Sequence, residues 1–119
     1  MPDPAVPPVL WTHIHRPLPG LVVVKCRGRL VSGEADNLLY NTVKEIIPTA
    51  HRVVLDLEEL EYTDSMGLGT LVRLYVRGKS VGCRVELMHL NKQIQNLLGI
   101  AGLFEVFSVV GENTAKLIT

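Results

Sequence analysis

One short stretch concentrates the residue types that could do chemistry. It runs Tyr62-Thr63-Asp64-Ser65-Met66-Gly67-Leu68-Gly69, between an apolar run and a helical pattern. Asp64 and Ser65 therefore fall at a helix N-terminus, where unpaired N–H groups attract side-chain oxygens and anions. Capping of the helix by Asp64 or Ser65 is the plainest role for these residue types. Gly67 and Gly69 offer positions where another backbone can approach closely. A hydrolase elbow needs Gly-x-Ser-x-Gly, and Thr63 stands where its first glycine belongs. A dinucleotide loop needs a third glycine three positions after Gly69, where this chain has Val72. A phosphate loop needs a Gly-Lys-Ser/Thr ending, which this stretch lacks. An enzyme is poorly supported by these residues.

The remaining reactive side chains are scattered. His13 and His15 sit two residues apart on one strand face, a spacing that can hold a metal, yet no third ligand accompanies them. His51 and His89 stand apart, so neither a metal site nor a cofactor is expected. Trp11 shares the face of His13 and His15 and reads as packing. Cys26 and Cys83 are too few for a disulfide framework or a zinc site of their own. Cys26 lies on the apolar side of its strand and reads as core.

The elements that must position Asp64 and Ser65 are legible in turn. Pro2, Pro4, Pro7 and Pro8 make residues 1–8 a proline-rich lead outside the single domain expected over residues 9–119. Val9 to His15 reads as a strand, and Arg16-Pro17-Leu18-Pro19-Gly20 as a turn. Leu21 to Leu30 alternates: Val22, Val24, Cys26 and Leu30 on one face, Lys25, Arg27 and Arg29 on the other. The two strands suit an antiparallel hairpin. Ser32 or Gly33 opens a helix carrying Ala35, Leu38, Leu39, Val43, Ile46 and Ile47 at helical spacing, with Glu34 and Asp36 in its first turn. Pro48 ends it. Val53 to Leu57 reads as a buried central strand. Leu68, Leu71, Val72, Tyr75 and Val76 mark the inner face of a second helix, its end bracketed by Gly78 and Gly82. Arg84 to Leu90 follows as a strand. Asn91 suits the N-cap of a third helix with Ile94, Leu97, Leu98 and Ala101 inward and Gly102 closing it. Glu105 to Val110 is the last strand, and Glu112 to Thr119 suits a short helix. The fold class is α/β: a mixed sheet of four to five strands, an N-terminal hairpin, and three to four helices packed mainly on one face.

Composition narrows the function classes. At 119 residues, with 47% hydrophobic and 20% charged, the chain suits one ordinary globular domain. Twelve Lys and Arg balance twelve Asp and Glu. A general nucleic-acid binder needs a basic surplus to displace counterions, and an electrostatic membrane anchor needs one too. No apolar run reaches the ~20 residues of a membrane span. The opening residues lack the pattern of a secretory signal, so a reduced cytoplasmic protein is expected.

Val53-Val54-Leu55-Asp56-Leu57, followed by Tyr62 through Leu71, resembles the signature of the STAS domain family, and within it the bacterial anti-sigma factor antagonists. Gly82-Cys83-Arg84-Val85-Glu86-Leu87 resembles that family's next strand. The segment Leu97 to Phe107 resembles its third helix and closing strand, and Gly28-Arg29-Leu30 fits the approach to the first helix. The resemblance spans roughly residues 9 to 110 and implies a function. The serine after the aspartate, here Ser65, would be phosphorylated by an anti-sigma factor that is also a GHKL-type serine kinase. The unphosphorylated antagonist would bind that kinase and free a sigma factor for transcription. A PP2C-type phosphatase would restore the complex. Met66 departs from the small residue often found at its position. The expected partner-binding set is Asp64, Ser65, Met66, Gly67, Gly69, Arg73 and Arg77 with Arg29 and Ser32. Arg73 and Arg77, four apart on the second helix, either pair with partner carboxylates or form a solvated basic face. A non-switching STAS scaffold subunit of a stress-sensing or lipid-transport complex is the alternative. In either case no nucleic acid or membrane insertion is involved.

Overall fold

A computed structural model describes residues 9–107, 109–111 and 118. The proline-rich lead lies outside the described residues, as does most of the expected C-terminal helix.

Leu21 to Leu30 forms strand β2 with the bounds the alternation predicts. It pairs antiparallel with β1 (Leu10–Leu18) through a tight turn at Pro19-Gly20. β1 runs three residues past the expected His15 and takes in Pro17. A register shift between His15 and Leu18 accommodates this, on an edge strand where a missing N–H does no harm. β3 (Arg52–Thr63), β4 (Arg84–Met88) and β5 (Val109–Val110) join in parallel to give one five-stranded sheet in the order β1-β2-β3-β4-β5. Helices α1 (Glu34–Ile46), α2 (Ser65–Ser80) and α3 (Lys92–Ile100) make the crossovers. Pro48 sits in a short 3-10 turn, Ile47–Thr49, that follows α1.

β3 is more than twice as long as the run Val53 to Leu57 suggests, and the reason is two bulges. Its register against β2 slips once between Lys25 and Arg27 and again between Gly28 and Arg29. Each bulge adds a residue to β3, so the buried positions Val53, Leu55 and Leu57 are followed by Leu60 and Thr63 rather than by a strict alternation. The second bulge brings the end of β3 level with the end of β2, where the candidate site lies.

The main core lies on one face of the sheet. Val22, Val24, Val53, Leu55 and Leu87 pack there against Leu39 and Val43 of α1, Leu71 and Leu74 of α2, and Ile94 and Leu98 of α3. All three helices thus cover that face. A smaller cluster of Leu21, Val23, Val54, Met88 and Ile118 lies apart from it. Val23 is therefore buried on the face of β2 that carries Lys25 and Arg27. Both thiols are structural: burial, aided by the charge of Asp56, pushes the Cys26 thiol up to about 12, and burial raises Cys83.

α2 differs from expectation in its inner face. Leu68 and Leu71 are buried and Val72 and Tyr75 pack half-buried against the core as expected, but Val76 is 58% exposed, and Gly67, Leu74 and Gly78 join the inner side instead. Gly78 and Gly82 bracket the end of α2 at Ser80 as expected, and a Cβ at Gly78 would meet the Cys83 carbonyl oxygen at 2.6 Å. Other boundaries shift. Leu38 is exposed, so α1 presents a narrower apolar stripe. β4 stops at Met88 because His89 turns the chain with φ 59°. Ala101 is exposed. Glu105 and Val106 form a turn, and β5 is two residues long.

The orientation of α2 has a measurable consequence. Leu74→Ala should cost about 2–5 kcal/mol of unfolding free energy through the cavity left in the core, whereas Val76→Ala should stay within about 0.5 kcal/mol. Urea denaturation of the two variants distinguishes this orientation from one in which Val76 faces inward.

Candidate functional site

The site is built where three segments meet: the end of β3, the first turn of α2, and the loop from β2 to α1. Thr63, the last residue of β3, is fully buried, and its hydroxyl donates to the carbonyl oxygen of Leu30 at 2.8 Å. The Asp64 N–H reaches the same oxygen at 3.3 Å. Asp64 is the N-cap of α2. Its Oδ1 accepts from the Gly67 N–H at 2.8 Å, and its Oδ2 accepts from the Ser32 N–H at 3.1 Å. One carboxylate thus satisfies an open donor of α2 and ties down the loop that leads into α1. The Gly67 N–H holds the Asp64 carboxyl below its usual range, with Ser32 and neighbouring backbone donors adding to the effect against a desolvation cost.

Gly67 makes the closure possible. A Cβ at this position would lie 2.2 Å from the Leu30 carbonyl oxygen and 2.3 Å from Thr63 Oγ1. Gly69, by contrast, faces open space, and a Cβ there would meet nothing within 4 Å. The close approach expected of both glycines therefore belongs to Gly67 alone.

Ser65 and Met66 begin α2 and face outward, Met66 at 57% exposed. Ser32, Arg29 and Tyr62 are exposed nearby in the fold, Arg29 standing opposite Tyr62 in the β2–β3 register. The structure thus brings Asp64, Ser65, Met66, Gly67 and Ser32 together. Arg73 and Arg77 lie two and three turns further along α2. Arg77 is exposed in the last turn of α2, where its charge complements the helix dipole. Arg73 is engaged within the fold: its guanidinium stacks 4.6 Å from the Tyr40 ring centre and donates to Thr70 Oγ1 at 2.8 Å.

That last contact belongs to a network the sequence did not disclose. Asp36 is buried between α1 and α2 rather than solvated at the start of α1. It accepts from the Thr70 hydroxyl and lies 3.8 Å from Arg73. Burial pushes its carboxyl up; Arg73 opposes that, and the charge of Asp64 adds to it. The signal available in the sequence was a threonine, Thr70, on the inner face of an amphipathic helix. A second missed group lies elsewhere. Asp56 and Glu58 of β3 and His89 of the β4–α3 turn converge, while His13 and His15 have no metal-ligating companion among the described residues.

Comparison with known proteins adds an independent line. The family model for the STAS domain matches residues 15–116. BtrV of Bordetella bronchiseptica, a candidate anti-sigma factor antagonist by name, is 25% identical over 96 residues, covering 81% of this chain and 83% of the relative. The anti-sigma F factor antagonist of Paenibacillus polymyxa is 26% identical over 96 residues, covering 76% and 78%. The anti-sigma factor antagonist SpoIIAA, solved in unphosphorylated and phosphorylated forms, superposes with TM-scores of 0.74 and 0.70 at 18% identity. It covers 88% of this chain in both cases, and 92% and 96% of the respective structures.

Two variants test the closure. Gly67→Ala should destabilise the chain by several kcal/mol, about the cost of overpacking against a backbone that cannot move aside. Gly69→Ala should be neutral or stabilising by about 0.5–1 kcal/mol through helix propensity. The pH dependence of Asp64 has a definite sign. Its folded-state pKa is depressed, so its contribution is present above the unfolded value and is lost as pH falls through the folded one. Asp64→Ala should therefore cost about 1 kcal/mol at neutral pH, and the gap from wild type should narrow in acid. Urea titrations of both proteins across that range measure it.

Proposed function

Because the chain belongs to the STAS domain family, we propose that it is an anti-sigma factor antagonist switched by phosphorylation of Ser65. In this reading the unphosphorylated chain binds an anti-sigma factor that is also a GHKL-type serine kinase. Ser65 Oγ then attacks the γ-phosphorus of ATP held by that kinase, ADP leaves, and the phosphorylated chain is released. A PP2C-type phosphatase hydrolyses the ester and restores binding. The protein acts on transcription through a partner and is not itself an enzyme, and the setting is the cytoplasm. The names of the relatives support the general role, and SpoIIAA supplies a protein of this fold known in both phosphorylation states.

One observation carries the finer reading. Ser65 is exposed at the first position of α2, beside a carboxylate whose two oxygens are already engaged by Gly67 and Ser32. A phosphoryl group can be added there without displacing either hydrogen bond. It brings about 1.5–2 negative charges, which the N-terminus of α2 tolerates. The fold should survive. A partner packed over Ser65 and Met66 faces a different problem, because the phosphate and Asp64 together must lose water unless the partner supplies cations, at a cost of several kcal/mol. Binding is thereby lost without unfolding. Arg29, Arg77, Tyr62 and Met66 are the exposed side chains proposed to meet the partner around this point. Gly67, Asp64 and Ser32 shape the surface from within, and Gly69 leaves it open. Arg73 contributes at its edge, held in place by Tyr40 and Thr70.

Incubation with the kinase-type anti-sigma factor and ATP should add about 80 Da, one phosphoryl group, to the intact mass, and Ser65→Ala should abolish the gain. Ser65→Glu should weaken partner binding at least tenfold, about 1.4 kcal/mol, with an unchanged melting temperature. A chain that gains no mass, and whose Ser65→Glu variant binds as tightly as wild type, would instead be a constitutive scaffold subunit.

A further inference from the structure

The convergence of Asp56, Glu58 and His89 lies apart from the Ser65 site and has no part in the proposed switch. Asp56 and Glu58 sit two residues apart on β3, at the first bulge. His89 follows the last residue of β4 in the left-handed region, φ 59°, which few residues other than glycine adopt. The turn is fixed on both sides. Asn91 caps α3 through its side-chain oxygen, 2.9 Å from the Ile94 N–H, and its side-chain nitrogen donates to the Leu60 carbonyl oxygen at 2.6 Å. The imidazole is thus aimed at β3. Its Nδ1 lies 3.0 Å from Asp56 Oδ1 and 3.5 Å from Glu58 Oε2.

We propose that Asp56, Glu58 and His89 form a binding site for a first-row divalent transition-metal ion, of which zinc and cobalt are the probes. The donor set, one imidazole and two carboxylates, suits such ions. The spacing fits as well. With metal–ligand bonds of about 2.1 Å, neighbouring ligand atoms stand about 3.0 Å apart in an octahedral shell and about 3.4 Å apart in a tetrahedral one. The two distances from Nδ1 are of that size. The ligand atoms of all three residues lie within 4.8 Å of one another, and Glu58, whose side chain is 60% exposed, can rotate to close the remaining gap.

Charge points the same way. The Asp56 side chain is 4% exposed. Its Oδ1 accepts from the Glu58 N–H at 3.1 Å and faces the imidazole, and it meets no Lys or Arg among the described residues. Lys25, its register neighbour on β2, pairs instead with Glu59. A nearly buried carboxylate beside a second carboxylate, with only an imidazole to balance them, is short of positive charge. A divalent cation would supply that charge. Binding uses the Nδ1 lone pair, so the hydrogen bond between Nδ1 and Asp56 gives way to the ion, and the N–H of the bound imidazole is the one at Nε2. Access is open: a surface cavity of about 410 Å³ adjoins through Glu58, and Arg27, Glu59, Leu60, Glu61 and Asn91 also line it. Water can complete the coordination shell from that side. The bound ion would cross-link β3 to the turn before α3.

The test uses the full chain freed of metal by chelator dialysis. Cobalt chloride should give visible absorption bands that saturate at one ion per chain and are bleached by zinc chloride, and either ion should raise the melting temperature. Glu58→Gln, at an exposed position, and His89→Asn, which tolerates the left-handed backbone, should each weaken binding at least tenfold. A double His13→Gln/His15→Gln variant should bind as wild type does. The proposal is overturned by an absence of saturable binding, or by binding that survives Glu58→Gln and His89→Asn and disappears in the double variant.

Discussion

The carboxylate of Asp64 and the bare Cα of Gly67 hold together the region on which the functional reading rests. The carboxylate bridges α2 and the β2–α1 loop, one oxygen to each. The glycine lets the first turn of α2 seat against the Leu30 carbonyl oxygen, which already receives the Thr63 hydroxyl and the Asp64 N–H. Neither element suffices alone. Without the glycine the helix could not approach, and without the carboxylate the loop would lose its anchor. With both in place the next residue, Ser65, is presented outward on a surface whose shape does not depend on its own hydroxyl.

The rest of the architecture delivers these parts to one end of the sheet. Two bulges in β3 let Leu57, Leu60 and Thr63 all face inward and bring the ends of β2 and β3 level. α2 seats at both its ends through glycines, Gly67 against Leu30 and Gly78 against Cys83, so its leucines enter the core between two close approaches. Between α1 and α2 the buried Asp36 is satisfied by Thr70 and attended by Arg73. That network lies within reach of the field of Asp64. In the proposed switch the phosphate joins Asp64 at this surface, and a partner packed there would have to desolvate both.

Much of this was legible in the sequence where the pattern was local. The alternation of Leu21 to Leu30 placed β2 to the residue, and Asn91 announced the cap of α3. The run Asp64 to Gly69 marked the start of α2 because an N-cap needs a short polar side chain at a helix start. What the sequence concealed depended on distant partners. Bulges erase the period-two signal, so Leu60 and Thr63 looked like loop. Tyr75 and Val76 match an apolar stripe as well as Leu74 does, and only the packing of Gly67 and Gly78 selects among them. Asp36 in a first turn suggests solvation until Thr70 is seen beside it. His89 stands about thirty residues from Asp56 and Glu58 in the chain and meets them only through β3–β4 pairing and a left-handed turn.

The central claim is that a phosphate on Ser65 changes what the surface binds and leaves the fold in place. Amide hydrogen exchange on the phosphorylated and unphosphorylated chain tests it most directly, residue by residue. A phosphate that leaves the fold in place gives equal protection across β2, β3 and α2, with the Gly67 and Ser32 amides still bound to Asp64, alongside loss of partner binding. Loss of protection at Gly67 and Ser32 that spreads into β3, so that binding fails because the site has opened, would contradict it.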